Sequence, residues 1–94
     1  MKINFKKIME IYGNNSIYDF KENIEDVSEN IKYLIHLGFE NVYDIVEIYP
    51  YMFLMCEDIF KEKVNSLINR LGEDYISILD EDTTLWGGVE VDKW

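Results

Sequence analysis

Apolar residues recur every three or four positions along most of the chain, the spacing that places them on one face of an α-helix. The longest such series comprises Ile17, Phe20, Ile24, Val27, Ile31 and Leu34. Gly38 follows it, and glycine commonly ends helices because it adopts left-handed backbone angles without strain. The pattern predicts one helix over residues 17–37 with Ser16 as its N-cap, or two shorter helices with a break near Ser28.

Two shorter series on either side of this segment predict further helices. Apolar positions within residues 5–12 have helical spacing, and Gly13 follows them. A second series at residues 42–48 is followed by Pro50, which lacks an amide donor and disfavours helical angles in the residue before it. We therefore expect a first helix that ends near Gly13 and a short helix that ends before Pro50.

The second half of the chain repeats this arrangement of helix, glycine and short helix. Residues 59–71 show helical spacing and are closed by Gly72, and residues 75–79 predict one more short helix. The apolar run at residues 51–56 is too short for periodicity to decide its structure. A buried turn or short helix that leads into the next helix is favoured, and a buried strand is the alternative.

Few turn-forming residues interrupt these segments, since 94 residues contain five glycines and one proline. The sequence predicts an all-α fold of about five helices, built from one or two stacked helical-repeat units or as a small orthogonal bundle. Its length fits a single domain over residues 1–94. Within it we expect an N-terminal helix and turn at residues 1–15, a helical core at residues 16–86 and an acidic tail at residues 87–94.

The chain partly repeats itself at about 33 residues, a period typical of helical arrays. The shift superposes Ile31 on Val64, Leu34 on Leu67, Val42 on Tyr75, Ile45 on Ile78, Val46 on Leu79 and Phe53 on Trp86. Gly38 and Gly72 are 34 residues apart, so one residue is inserted before the second glycine. The alternative is a chance match between amphipathic helices.

Four segments of this pattern resemble the repeat of the mitochondrial transcription termination factors. They are residues 30–39 (NIKYLIHLGF), 42–46 (VYDIV), 49–54 (YPYMFL) and 60–72, which ends in Leu-Gly. The resemblance implies an all-helical fold made of one and a half to two units. Members of that family contact nucleic acid through basic residues on a concave face, and this sequence mostly lacks such residues. Thr83 also stands where a second proline is expected, so the resemblance assigns DNA binding to no residue here.

Charge is the clearest compositional feature, because 19 acidic residues outnumber nine Lys and Arg for a net charge of −10. Direct binding to a phosphate backbone is therefore not expected. On the predicted long helix, four acids are expected to lie along one flank: Glu22, Glu25, Asp26 and Glu29. This flank is either a solvated surface that keeps the domain soluble or a docking surface for a basic protein partner.

Aromatic residues are also abundant, and Tyr and Trp are enriched at protein interfaces. The candidates for an aromatic surface patch are Tyr49, Tyr51, Trp86 and Trp94. Trp86 has a second interpretation, in which it closes the core as Phe53 does one unit earlier.

Catalytic and metal-binding chemistry has few residues to use. The chain has a single histidine, His36, and a single cysteine, Cys56, so neither a Cys–His nucleophile nor a zinc site is expected. Cys56 lies in an apolar run, where a thiol behaves as a small hydrophobe. The acidic run at residues 80–84 fails as a calcium loop, because an EF-hand needs glycine at its sixth position and glutamate at its twelfth. We expect no catalytic residue, no metal and no cofactor.

These observations predict a cytoplasmic, non-enzymatic module that binds a basic protein partner as an adaptor or an inhibitor. One cysteine fits a reducing compartment, and no apolar run is long enough for a membrane span. The alternatives are a member of a nucleic-acid-associated complex, related to the termination-factor repeats, and a DNA mimic that antagonises a nucleic-acid enzyme.

Overall fold

The computed structural model describes residues 5–13 and 19–90, and these residues form helices with no β-strand among them. The prediction of an all-α fold is confirmed. The α-helices are α1 (Phe5–Tyr12), α2 (Ile24–Leu37), α3 (Val42–Ile48), α4 (Glu57–Leu71), α5 (Tyr75–Glu81) and α6 (Gly87–Glu90). Two 3-10 helices, Pro50–Leu54 and Thr83–Trp86, complete the described elements, and residues 19–22 are also helical. No helix in the described part of the chain is long and apolar enough to cross a membrane.

The long helix begins later than its apolar pattern predicts. Residues 19–22 are helical, but the chain turns at Asn23 and α2 starts at Ile24. The Asn23 side chain donates a hydrogen bond from Nδ2 to the carbonyl oxygen of Asp19, at 2.9 Å. Such a local bond competes with helix propagation, which explains a break at Asn23 rather than near Ser28. The predicted N-cap, Ser16, lies outside the described residues.

Glycine ends both long helices as predicted. Gly38 has φ 108° and its amide donates to the carbonyl oxygen of Ile35, while the next amide, Phe39, donates to Leu34. This pair of bonds satisfies carbonyls that the helix end leaves unpaired. A side chain at Gly38 would also bring a Cβ to 3.0 Å from Cδ1 of Ile76. The Gly38 turn therefore joins the end of α2 closely to α5.

The described elements repeat with the spacing that the sequence predicts. The long helices start at Ile24 and Glu57, the short helices at Val42 and Tyr75, and the 3-10 helices at Pro50 and Thr83; each pair is 33 residues apart. The backbone before the two 3-10 helices is also alike, with φ −128° and ψ 63° at Tyr49 and φ −133° and ψ 86° at Asp82. The extra residue lengthens α4 by one position, and the loop after Gly72 is one residue shorter.

Aromatic side chains at this same spacing fill the core. Phe20, Phe53 and Trp86 are each 33 residues apart and each fully buried. The Trp86 ring packs edge-on against the Phe39 ring, with 5.3 Å between centroids. The prediction that Trp86 belongs to a surface patch is therefore wrong, because the second 3-10 helix places it in the core as the first places Phe53.

The chain after Trp86 differs from the expected acidic tail. Gly87–Glu90 forms the one-turn helix α6, and Val89 within it is fully buried. This turn packs against α4 and the first 3-10 helix. Trp94 lies outside the described residues.

Candidate functional site

Helix α2 presents one apolar face to the core and an acidic face to solvent. Its buried residues are Val27, Asn30, Ile31 and Leu34. Because successive residues of an α-helix are rotated by about 100°, Glu25 and Glu29 lie on the side opposite this buried face. Both glutamates are exposed, and Glu29 is 3.5 Å from the amine of exposed Lys32.

The structure places only two of the four predicted acids on this exposed face. Asp26 is half-buried and lies about 100° around the helix from Glu25, on the flank that carries Tyr33. Glu22 is exposed but precedes the break at Asn23, so it is not part of α2. The single acidic flank expected from a continuous helix is therefore divided.

An open groove of about 410 Å³ runs beside the acidic face of α2. Of the described residues, those that line it are Ile24, Glu25, Ser28 and Glu29. Ile24 is 38% exposed, and Ile35 is 49% exposed on the same flank, three turns further along the helix. The groove thus combines two carboxylates with exposed apolar surface. In the sequence, Ile35 is apolar but does not belong to the series Ile17 to Leu34 that marks the buried face, and this position indicates its exposure.

The opposite flank of α2 is covered by α4. The Tyr33 hydroxyl donates to Oδ1 of Asn65 at 2.5 Å, and Nζ of Lys61 lies 5.3 Å from the centroid of the Tyr33 ring. Lys61 also donates to a Glu57 carboxylate oxygen at 2.7 Å, and this hydrogen bond raises the pKa of the Lys61 ammonium above its usual value. Side-chain contacts across this flank therefore fix the position of α2 relative to α4.

A buried asparagine connects α2 to the first 3-10 helix. Nδ2 of Asn30 donates to the carbonyl oxygens of Phe53, at 3.0 Å, and Met55, at 2.8 Å. Both amide hydrogens are thereby used, and Asn30 is fully buried. The contact holds the chain between α3 and α4 against the core.

The predicted aromatic patch is smaller than expected. Tyr51 is 39% exposed, whereas Tyr49 is half-buried and packs against the core. The Tyr49 ring lies beside α6, 3.8 Å from the point that a Cβ on Gly87 would occupy. With Trp86 buried, Tyr51 and part of Tyr49 are what the structure exposes of the three described candidates.

The residues considered for chemistry are engaged in local structure or lie in isolation on the surface. His36 is exposed in the last turn of α2, and Cys56 is exposed at the start of α4 rather than buried with its apolar neighbours. Asp82 accepts hydrogen bonds from the backbone amide and hydroxyl of Thr84, so its carboxylate caps the second 3-10 helix. Over residues 5–13 and 19–90, no group of three or more His, Cys, Asp or Glu side chains could hold a metal ion.

Three lysines, on three different helices, lie close to carboxylates. Lys7 of α1 is 3.1 Å from Glu47 of α3, in addition to the Lys32–Glu29 and Lys61–Glu57 pairs. Each of these lysines has its charge partly compensated by a neighbouring acid. This distribution disfavours a single cationic surface for phosphate groups.

No family model, curated protein or solved structure matches the chain. The resemblance to the termination-factor repeat therefore stays a prediction.

Proposed function

We propose that the protein is a non-enzymatic interaction module that binds a basic segment of another protein through the exposed face of α2. The observation that carries this proposal is the groove beside α2, in which the carboxylates of Glu25 and Glu29 adjoin the exposed side chain of Ile24. This combination of charge and apolar surface matches a cationic, partly apolar ligand.

Two physical effects support this choice of ligand. The net charge of −10 attracts cationic partners over long range and accelerates their encounter. The exposed isoleucine surface supplies affinity once contact is made, because its burial removes apolar area from water. A purely solubilising face would have the first property and would gain nothing from the second.

A test compares affinity capture by the wild type with capture by two variants of equal charge change. The first removes the predicted acids through Glu22→Gln, Glu25→Gln, Asp26→Asn and Glu29→Gln. The second is the matched control, Glu62→Gln, Glu73→Gln, Asp80→Asn and Glu81→Gln, at exposed positions of α4, α5 and the loop between them. We expect a basic protein that the wild type and the control retain and the first variant loses, with unchanged helical circular dichroism in all three.

Equal retention by all three proteins would reduce the acidic face to a solubilising coat and refute the proposal. The second candidate function, direct participation in a nucleic-acid complex, has its own test. A labelled DNA duplex and a labelled single strand are titrated with the protein at low salt. Tight binding that weakens as salt rises would favour the second candidate.

A further inference from the structure

The 33-residue repeat assigns an equivalent in α4 to the residues on the flank of α2 that carries Ile24 and Ile35. It relates Ser28, Lys32 and Ile35 of α2 to Lys61, Asn65 and Ile68 of α4. In α4 this flank is the one that α2 covers, since Lys61 and Asn65 contact the Tyr33 side chain. The equivalent flank of α2 is exposed at Ile24, Lys32 and Ile35.

Exposure of equivalent residues differs between the two long helices. Ile68 is half-buried and packs against the core, whereas Ile35, at the same position of the repeat, is 49% exposed. A long helix, α2, lies along α4, while the groove on α2 is lined, among the described residues, by Ile24, Glu25, Ser28 and Glu29, about two to three turns before Ile35.

The flank of α4 that lies away from α2 does not carry exposed apolar residues at the equivalent positions. Tyr33 lies on the flank of α2 that faces α4, and its equivalent on α4 is the exposed residue Ser66; one turn further along, Leu37 corresponds to the exposed Arg70. Replacement of aromatic and apolar side chains by polar ones is what a terminal unit of a helical array requires. The surface suited to receive another helix is consequently the α2 flank.

We propose that the ligand of the groove is a basic amphipathic α-helix of a partner protein, which lies along α2 as α2 lies along α4. This inference rests on the proposed function. The apolar side of the incoming helix covers Ile24 and Ile35, and its Lys or Arg side chains lie beside Glu25 and Glu29. A second copy of this chain fits less well, because a symmetric α2–α2 contact would bring the same carboxylates together.

The test uses the whole 94-residue chain and two labelled peptides. The helical probe copies residues 24–37 with Glu25→Lys, Asp26→Lys and Glu29→Lys, so that it offers the Tyr33 side of α2 with a basic exterior. The second probe has the same composition in an order without helical apolar periodicity. Binding is measured by fluorescence anisotropy at physiological salt, for the wild type, for Ile24→Ser with Ile35→Ser, and for the control Ile59→Ser, which changes an isoleucine that is 48% exposed on α4.

We expect the helical probe to bind the wild type and the Ile59→Ser control more tightly than the second probe does. The double variant should weaken that binding at least about tenfold, as loss of interface anchors does. If both probes bound equally well, or if the helical probe bound the double variant as tightly as the wild type, a helical ligand in the groove would be refuted. The capture experiment could still support a basic ligand of another conformation. Concentration-dependent dimers that the double variant abolishes would identify a second copy as the occupant and would also overturn the inference.

Discussion

Replacement of Trp86 by phenylalanine and by alanine separates two effects that oppose each other in the core. Trp86 is fully buried, and its indole Nε1 has no hydrogen-bond partner in the described part of the chain. Phenylalanine already occupies the equivalent positions of the repeat, Phe20 and Phe53, where it is fully buried as well. The position of Trp86 is therefore one at which a phenyl ring is expected to fit.

The expected magnitudes follow from what each variant removes. Trp86→Ala deletes the whole ring system and should lower the free energy of unfolding by about 3–5 kcal/mol, the usual cost of truncating a large aromatic side chain in a core. Trp86→Phe also loses buried surface, but it removes the unpaired donor, whose burial costs about 1–3 kcal/mol. These effects nearly cancel, so we expect Trp86→Phe to change stability by about 1 kcal/mol or less.

Urea unfolding followed by far-ultraviolet circular dichroism measures both variants, because the helices supply the signal. With a slope of about 1–3 kcal/mol per molar urea, a loss of 1 kcal/mol lowers the midpoint by about 0.3–1 M. Trp86→Ala should therefore unfold at a far lower urea concentration than Trp86→Phe. If Trp86→Phe proved as destabilising as Trp86→Ala, then the indole nitrogen would be paired in solution and the equivalence with Phe53 would be refuted.

Four further substitutions test the fold by the same urea measurement. Gly38→Ala should cost about 1–3 kcal/mol, since alanine is strained at φ 108° and its Cβ displaces Ile76; an unchanged midpoint would contradict that geometry. Asn30→Ala should cost about 1–3 kcal/mol because it removes hydrogen bonds to the buried carbonyl oxygen of Phe53 and the part-buried one of Met55, and a loss below about 0.5 kcal/mol would show that water replaces the amide. Ile35→Ser should stay within about 0.5 kcal/mol of the wild type while Ile68→Ser costs about 1–3 kcal/mol, and equal losses would argue that Ile35 is covered.

Local chemistry explains which helix ends the sequence could predict. Gly38, Gly72 and Pro50 each restrict or permit backbone angles by themselves, and the helices end beside them as predicted. The start of α2 depends instead on the bond between the Asn23 side chain and the carbonyl oxygen of Asp19. Apolar periodicity continues across this turn unchanged, so periodicity alone could not reveal it.

The predicted start of the long helix affects which acidic residues share one surface. A continuous helix over residues 17–37 would place Glu22, Glu25 and Glu29 close together, whereas the break separates Glu22 from the other two. Asp26 lies at the edge of this arc towards Tyr33 and is half-buried, whereas Glu25 and Glu29 are exposed. Sequence therefore predicted that α2 is acidic outside, and the structure was needed to show which carboxylates share the groove.

Burial of equivalent residues depends on neighbours that the sequence of one unit does not contain. Ile35 and Ile68 have the same residue type and the same position in the repeat, yet only Ile68 is packed against the core. Ile59 of α4 is 48% exposed as well, so exposure of an isoleucine does not by itself mark a binding position. On the flank of α4 that lies away from α2, Ser66 and Arg70 show that an exposed flank of this repeat can be polar. The double variant at Ile24 and Ile35 is therefore compared with Ile59→Ser, so that a loss of probe binding reports on the flank of α2 and not on apolar exposure in general.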